Sequence, residues 1–317
     1  MHKNASLILR ILSSSVCISE KAGSIIREII KKGNLNIIDK GFNELQTEAD
    51  RSSEKCIVKS LVNKFPKLSV IGEENLGINY EVPADWIVTK QDETVLVHDC
   101  PSEFQNLKEE DDVVVWVDPL DGTSEFTQGL HDHVTILIGL SVNGKAVGGV
   151  IHQPFFNYNE PQPGRTVWGL IGLGAFGIPR IMPPSNKMIV TTTRSHSNET
   201  INKAVEAFSP NYVVRVGGAG NKVLQVIEGK AHAYVFASRG CKKWDTCAPE
   251  AILHSFGGRL TDCLGNDLTY KKKENFTNEL GVLASYSRDE HEKYCSFIPT
   301  EIKGQIVEKA KSFFKCL

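Results

Sequence analysis

Leu7, Ile8, Ile11, Leu12, Ile18, Ala22, Ile25, Ile26, Ile29 and Ile30 recur at helical spacing until Gly33-Asn34 stops them, so one or two amphipathic helices open the chain. A second helical pattern runs from Ala49 to Phe65, beyond the polar Gln46-Thr47-Glu48 and short of Pro66, because a residue preceding proline avoids the helical region. Asp50 therefore falls in a helix's first turn. Leu68-Ser69-Val70-Ile71 reads as a short buried strand that delivers Gly72-Glu73-Glu74 at its carboxyl end. Residues 75–112 are polar, acidic and broken by Pro83 and Pro101, the pattern of an inserted surface loop with short helices.

Val113-Val114-Val115-Trp116-Val117 is a continuous apolar run, the mark of a strand buried on both faces, and it ends at Asp118. Strands follow at Val134 to Leu140 and Ala146 to Ile151, with Asn143-Gly144 between them as a hairpin signal, and strand pattern continues from Val167 to Phe176. Beyond the proline-rich Pro179 to Pro184 the character changes to alternation: strand Met188 to Thr192, helix Asn198 to Phe208, strand Tyr212 to Val216, a helix from Asn221, strand Tyr234 to Phe236, helix Asp245 to Phe256. This places a boundary near residue 182, giving an N-terminal lobe of residues 1–182 and a C-terminal lobe of residues 183–317 in an α/β protein.

Composition narrows the class. The 317 residues are 41% hydrophobic and 23% charged, which excludes disordered and membrane-spanning chains. Leu7 to Ile18 is interrupted by Arg10 and lacks a clean cleavage site, so it does not read as a signal peptide. Lys plus Arg (36) nearly balance Asp plus Glu (38), so no overall field favours a nucleic-acid polymer or an anionic membrane, and no pattern points to a protein partner. Eight scattered cysteines without a CxxC pair suit reduced thiols in a cytoplasmic protein.

The acids gain meaning from where they stand. Glu73 follows one apolar strand, Asp118 and Asp121 follow another, and Asp245 opens a helix; clefts in α/β proteins form at strand carboxyl ends, so these side chains could converge. Hard cations such as Mg²⁺ take oxygen ligands of this kind. Within Asp118-Pro119-Leu120-Asp121-Gly122-Thr123, Pro119 stiffens the turn and bars helix or strand from continuing, Gly122 admits close backbone approach, and a helix resumes at Thr123 with its free amides turned to an anion. Asp121-Gly122 alone would be a turn; the buried strand before it and the threonine after it make it a candidate site. Phosphate monoesters hydrolyse so slowly that a pair of metal ions with a hydroxyl backed by a carboxylate is a chemically sensible catalyst, and Thr123 with Asp50 would supply the latter.

These residues carry a resemblance. Gly72-Glu73-Glu74, the DPLDGT run at 118–123 and Trp244-Asp245-Thr246-Cys247-Ala248 look like the three motifs of the lithium-sensitive inositol monophosphatase superfamily, in order and spacing. Within it the chain resembles the bisphosphate nucleotidases, also through Leu45 to Asp50, TTTRSHSN at 191–198 and VGGAGNK at 216–222. The resemblance implies a layered α/β/α/β/α sugar-phosphatase-like fold and two or more Mg²⁺ ions. It implies Glu73, Asp118, Asp121, Asp245 and the Leu120 carbonyl as metal ligands, and Asp50 and Thr123 as the catalytic pair. Substrate contacts are implied for Thr123, Thr193, His196, Gly218, Lys222 and Asp245. The implied reaction is removal of the 3'-phosphate of adenosine 3',5'-bisphosphate, a small-molecule nucleotide; an inositol polyphosphate 1-phosphate phosphatase is the alternative. Replacing Asp121 by Asn is expected to abolish activity with the fold intact.

Other signals mean less. Gly172 to Gly177 matches GxGxxG, but Pro179 denies it the following helix, so it reads as turns between strands. His131-Asp132-His133 has no third soft ligand and reads as a turn, and Cys247 as packed within a helix. Lys222 and Arg194 are the cations a second phosphate requires, whereas Arg239, Lys242 and Lys243 read as a solvated face.

Overall fold

A computed structural model describes residues 5–33, 35–41, 44–77 and 80–314; Asn34 of the first stop signal and Cys316 lie outside them. The opening pattern forms a single helix, α1 (Leu7–Lys32), capped by the Ser6 hydroxyl, which accepts from Leu9 N, and closed by Gly33 in the left-handed region (φ 73°). A small hairpin, β1 (Ile38–Gly41) and β2 (Glu44–Gln46), leads into α2 (Glu48–Lys64), which ends before Pro66 as its sequence dictates.

The first sheet contains β3 (Ser69–Gly72), β4 (Val113–Asp121), β5 (Thr135–Val142), β6 (Lys145–Gln153), β7 (Arg165–Leu170) and β8 (Gly174–Phe176), in that spatial order. Only the β3/β4 pair is parallel. The short α3 (Glu93–Leu96) lies in the insertion, and α4 (Thr123–Thr127) follows β4. The second sheet draws on β9 (Ile189–Thr193), β10 (Tyr212–Val216), β11 (Ala233–Phe236), β12 (Arg259–Thr261) and β13 (Val282–Ser285), in the order β10-β9-β11-β13-β12. Its helices are α5 (Glu199–Glu206), α6 (Ala219–Ile227), α7 (Lys243–Ser255), α8 (His291–Phe297) and α9 (Thr300–Phe314).

Period-two side chains divide the first sheet's faces. Ile136, Ile138 and Leu140 of β5 pack with α1 and α2, while Leu137 turns to the other face, into a core shared with α6, α7 and the second sheet. The layers run α1/α2, first sheet, α6/α7, second sheet, and outer helices including α5 and α8, which is the expected α/β/α/β/α order.

Two local readings change. Pro119 does not end the strand: β4 runs to Asp121, because Asp118 pairs Leu137 and Asp121 pairs Thr135, so three steps on β4 match two on β5. The one-residue bulge takes up the proline, whose missing N–H would otherwise break the ladder, and re-aims the acids on either side of it. The predicted helix from Asn221 begins at Ala219, two residues earlier. Asn143 (φ 51°) and Gly144 (φ 75°) make the β5/β6 turn with both central residues left-handed, as the hairpin signal requires. Gly172 to Gly177 joins β7 to β8 as turns between strands.

One close approach matters for the site. Gly139, Gly149 and Gly169 stand side by side on β5, β6 and β7. A Cβ on Gly139 would meet Ala248 N at 2.6 Å, and one on Gly149 would meet Ala248 Cα at 2.6 Å, so this row of missing side chains sets how closely α7 lies on the sheet. Gly149→Ala should therefore cost about 1–3 kcal/mol of stability by overpacking. Gly304→Ala, on α9 with open space around it, should stabilise by roughly 0.5–1 kcal/mol. Urea denaturation of the two variants checks both signs.

Candidate functional site

The carboxyl ends of the strands face a cleft of about 680 Å³. Of the residues expected in the site, Glu73, Asp118, Leu120, Asp121, Thr123, Thr193, His196, Gly218, Lys222 and Asp245 all line it. Asp50 lies behind the wall, one bond deeper, and meets the cleft through Thr123.

Each acid is positioned by a local device. Asp50 is the third residue of α2, where its Oδ2 accepts from Thr47 N (2.8 Å) and Thr47 Oγ1, closing a capping box. Its other oxygen, Oδ1, lies 2.9 Å from Thr123 Oγ1, which is also 3.1 Å from the Leu120 carbonyl. Asp245 occupies the same place in α7, its Oδ2 accepting from Lys242 N at 2.7 Å. Asp118 Oδ1 accepts from Leu120 N across the bulge (3.0 Å). Glu73 follows β3, and the Lys40 ammonium of the β1/β2 hairpin bridges it (3.4 Å) and Glu74 (3.0 Å).

Asp121 is the most heavily held. Its Oδ1 accepts from Ala219 N (2.7 Å), and its Oδ2 accepts from Gly220 N (2.8 Å) and Thr135 Oγ1 (2.6 Å). The carboxylate thus caps the first turn of α6, where backbone amides converge on an anion. Three of about four lone-pair sites are used, which leaves room for one further ligand. Asn cannot reproduce this arrangement, since its NH₂ would face a backbone N–H, so the expectation that Asp121→Asn leaves the fold intact gives way.

Gly218 has its own reason to be glycine: φ is 70°, and a Cβ would meet Asp121 Oδ2 and the His133 carbonyl, both at 2.8 Å. Lys222 Nζ is buried, donates to the Gly218 carbonyl (2.9 Å), and lies 5.5 Å from the centre of the Tyr234 ring. Thr193 Oγ1 accepts from His196 N at 3.1 Å, shaping the turn that carries His196 on an exposed rim.

Burial, reinforced by neighbouring charge, dominates the electrostatics. Burial and then the charge of Asp245 push Glu73 up to about 8; burial and then Asp121 push Asp245 up to about 7. Asp118 is raised by burial and then by Glu73, and Asp121 by burial, against a downward pull from Lys222. Burial lifts Asp50 to about 6. Among the described residues no group of three or more His, Cys, Asp or Glu side chains stands close enough together to hold a metal ion. The donor set nonetheless fits a hard cation: four carboxylates and a backbone carbonyl, all oxygen, crowded enough to resist ionising together.

Several other sequence readings are revised. Arg194 pairs with the buried Glu125 (3.5 Å) and Gln128 (2.9 Å) and stays off the cleft wall. Arg239 and Lys242 line the cleft and Lys243 is buried against Glu274, so these three are not a solvated face. They lie between β11 and a helix, at a strand's carboxyl end, and that position was the signal available in the sequence. Tyr234, Phe236 and Trp244 also line the cleft without having been expected there. His131 to His133 form a single 3₁₀ turn, and Cys247 is fully buried.

The chain matches the inositol monophosphatase family over residues 10–302, and it belongs to that family of generally metal-dependent phosphatases. Among curated relatives, 3'(2'),5'-bisphosphate nucleotidase 1 of Homo sapiens is 51% identical, covering 97% of this chain and 100% of the relative. The protein of the same name in Dictyostelium discoideum is 38% identical, covering 92% and 96%. Among solved structures, the Thermotoga maritima IMPase has a TM-score of 0.63 at 21% identity, covering 93% of this chain and 97% of that one. Inositol monophosphatase-II from Staphylococcus aureus has a TM-score of 0.65 at 18% identity, covering 93% and 96%. These structural likenesses establish the fold.

A pH dependence follows from this burial and crowding. A carboxyl whose folded-state pKa is raised above the ordinary value near 4 favours folding while protonated, and that stability is lost as pH climbs through the folded value. With Asp50 at about 6, Asp245 at about 7 and Glu73 at about 8, stability in EDTA should fall between roughly pH 4 and pH 8. Mg²⁺ should raise the melting temperature more at pH 8 than at pH 5, a difference that thermal melts at the two pH values measure.

Proposed function

We propose that this phosphatase removes the 3'-phosphate of adenosine 3',5'-bisphosphate, giving AMP and phosphate, with Mg²⁺ as cofactor. The observation that carries the reading is 51% identity, over 97% of the chain, to a protein named for hydrolysing such nucleotides. Glu73, Asp118, Asp121, Asp245 and the Leu120 carbonyl would hold two or more Mg²⁺ ions. When bound, the ions supply polarisation of the phosphoryl oxygens and acidification of water.

The remaining work belongs to the chain. Thr123 Oγ1 takes a proton from water entering the cleft and passes its own to Asp50 Oδ1. Supporting this are the 2.9 Å bond between them and the pKa of Asp50, which burial brings to about 6, close to neutral pH. Asp50 is itself fixed by Thr47, so the pair needs no rearrangement. The α6 terminus, Gly218, Lys222, Thr193 and His196 contact the nucleotide, with Thr123 and Asp245 at its reacting phosphate. In this reading residues 1–182 carry most of the metal ligands and residues 183–317 bind substrate, although Asp245 comes from the second stretch. Lithium sensitivity belongs with the metal site. A cytoplasmic location is consistent with seven free cysteines among the described residues, and no helix among them is long and apolar enough to cross a membrane.

Phosphate release should be followed with adenosine 3',5'-bisphosphate, inositol 1-phosphate and inositol 1,4-bisphosphate. The nucleotide should turn over at least about tenfold faster than either inositol ester, EDTA should abolish turnover, and Asp118→Asn should lower kcat by about a hundredfold or more. Equal or faster inositol ester turnover overturns the substrate, and activity that survives EDTA overturns the metal reading.

A further inference from the structure

A nucleotide with two phosphates needs cations for the phosphate that does not react, and of the two chosen from sequence one, Arg194, stays off the cleft wall and the other, Lys222, sits beside Asp121. Arg194 turns to Glu125 (3.5 Å) and Gln128 (2.9 Å) instead. Lys222 is bonded to the Gly218 carbonyl, and its charge faces Asp121. The cleft wall holds two other strong cations, Arg239 and Lys242, on the short loop between β11 and α7.

Arg239 is the better placed for recognition. Its Nε donates to Glu279 Oε2 at 2.6 Å, and Glu279 Oε1 in turn accepts from Asn275 Nδ2 at 2.6 Å. A guanidinium anchored through Nε is fixed in its plane, and its terminal nitrogens form the fork that matches two phosphate oxygens. The arginine is half-buried, so a charge–charge contact there is screened less than on an open surface. The loop is also tied to a neighbouring segment: Asn198 Nδ2 donates to Ser238 Oγ at 3.2 Å, joining the Arg239 turn to the stretch that carries His196. Together these two segments bound one side of the cleft next to Phe236.

We infer that Arg239, oriented by Glu279, recognises the non-reacting phosphate of the bisphosphorylated nucleotide and so sets the preference for two phosphates over one. This rests on the nucleotide reading above. Glu279 touches no substrate and is a positioning residue, holding the plane of the guanidinium.

The test compares adenosine 3',5'-bisphosphate with adenosine 3'-monophosphate, which carries the same reacting group without the second phosphate. Losing one charge-assisted contact should raise KM for the bisphosphate by roughly ten- to a hundredfold in Arg239→Ala, with kcat little changed. The monophosphate's KM should stay within about twofold. Arg239→Lys should recover part of the loss, and Glu279→Gln should move KM in the same direction by less. If Arg239→Ala weakens both substrates equally, or neither, the assignment is overturned while the nucleotide reading stands. If the unaltered enzyme hydrolyses neither nucleotide, the nucleotide reading falls and the assignment falls with it.

Discussion

The carboxylate of Asp121 joins the two halves of the molecule. It ends β4 of the first sheet, and at 2.7 Å and 2.8 Å it receives the first backbone amides of α6, which belongs to the second half. Those amides have no partner within their own helix, so without the carboxylate they would be buried and unsatisfied, at about 1–3 kcal/mol each. The glycines of residues 217–220 make this contact possible, since a Cβ on Gly218 or Gly220 would run into Asp121 or Thr135. Because α6 also carries Lys222 into the cleft, the geometry of that side of the cleft depends on the same bond that positions one of the acids proposed to bind metal.

A second constraint brings in the remaining acid. The glycine row of Gly139, Gly149 and Gly169 lets α7 settle on the first sheet, and the first turn of α7 presents Asp245 to Asp118 and Asp121. Three stretches far apart in the chain therefore concentrate negative charge in one place. The cost appears as raised carboxyl pKa values, which is stability withheld until a cation binds. Packing on both faces of the sheet, with α1 and α2 on one side and α6 and α7 on the other, holds the charges together against their repulsion.

The parts of this arrangement legible in sequence were those fixed by local rules. Hydrophobic periodicity located α1 and α2, the Asn143-Gly144 turn its hairpin, and the apolar run before Asp118 the central strand. The strand's passage through Pro119 was not legible, because a bulge is set by its pairing partner, here the Asp118/Leu137 and Asp121/Thr135 register. The β1/β2 hairpin and the two C-terminal helices, α8 and α9, gave no reading, since short or weakly patterned elements are held by tertiary contacts. In the site, residue type and motif found the acids, yet whether a cation reaches the cleft wall depends on neighbours distant in sequence. Arg194 looked placed for a phosphate until the fold set it off the cleft wall beside Glu125, and Arg239 looked solvated until the fold set it on that wall.

These carboxylates are proposed to form a single centre for more than one divalent cation. Crystals grown with Mn²⁺ in place of Mg²⁺, measured for anomalous scattering, test it directly. The prediction is two or more peaks within the cleft, bonded to oxygens of Glu73, Asp118, Asp121 and Asp245. A cleft without a peak, or peaks only at other acidic surfaces, would contradict it.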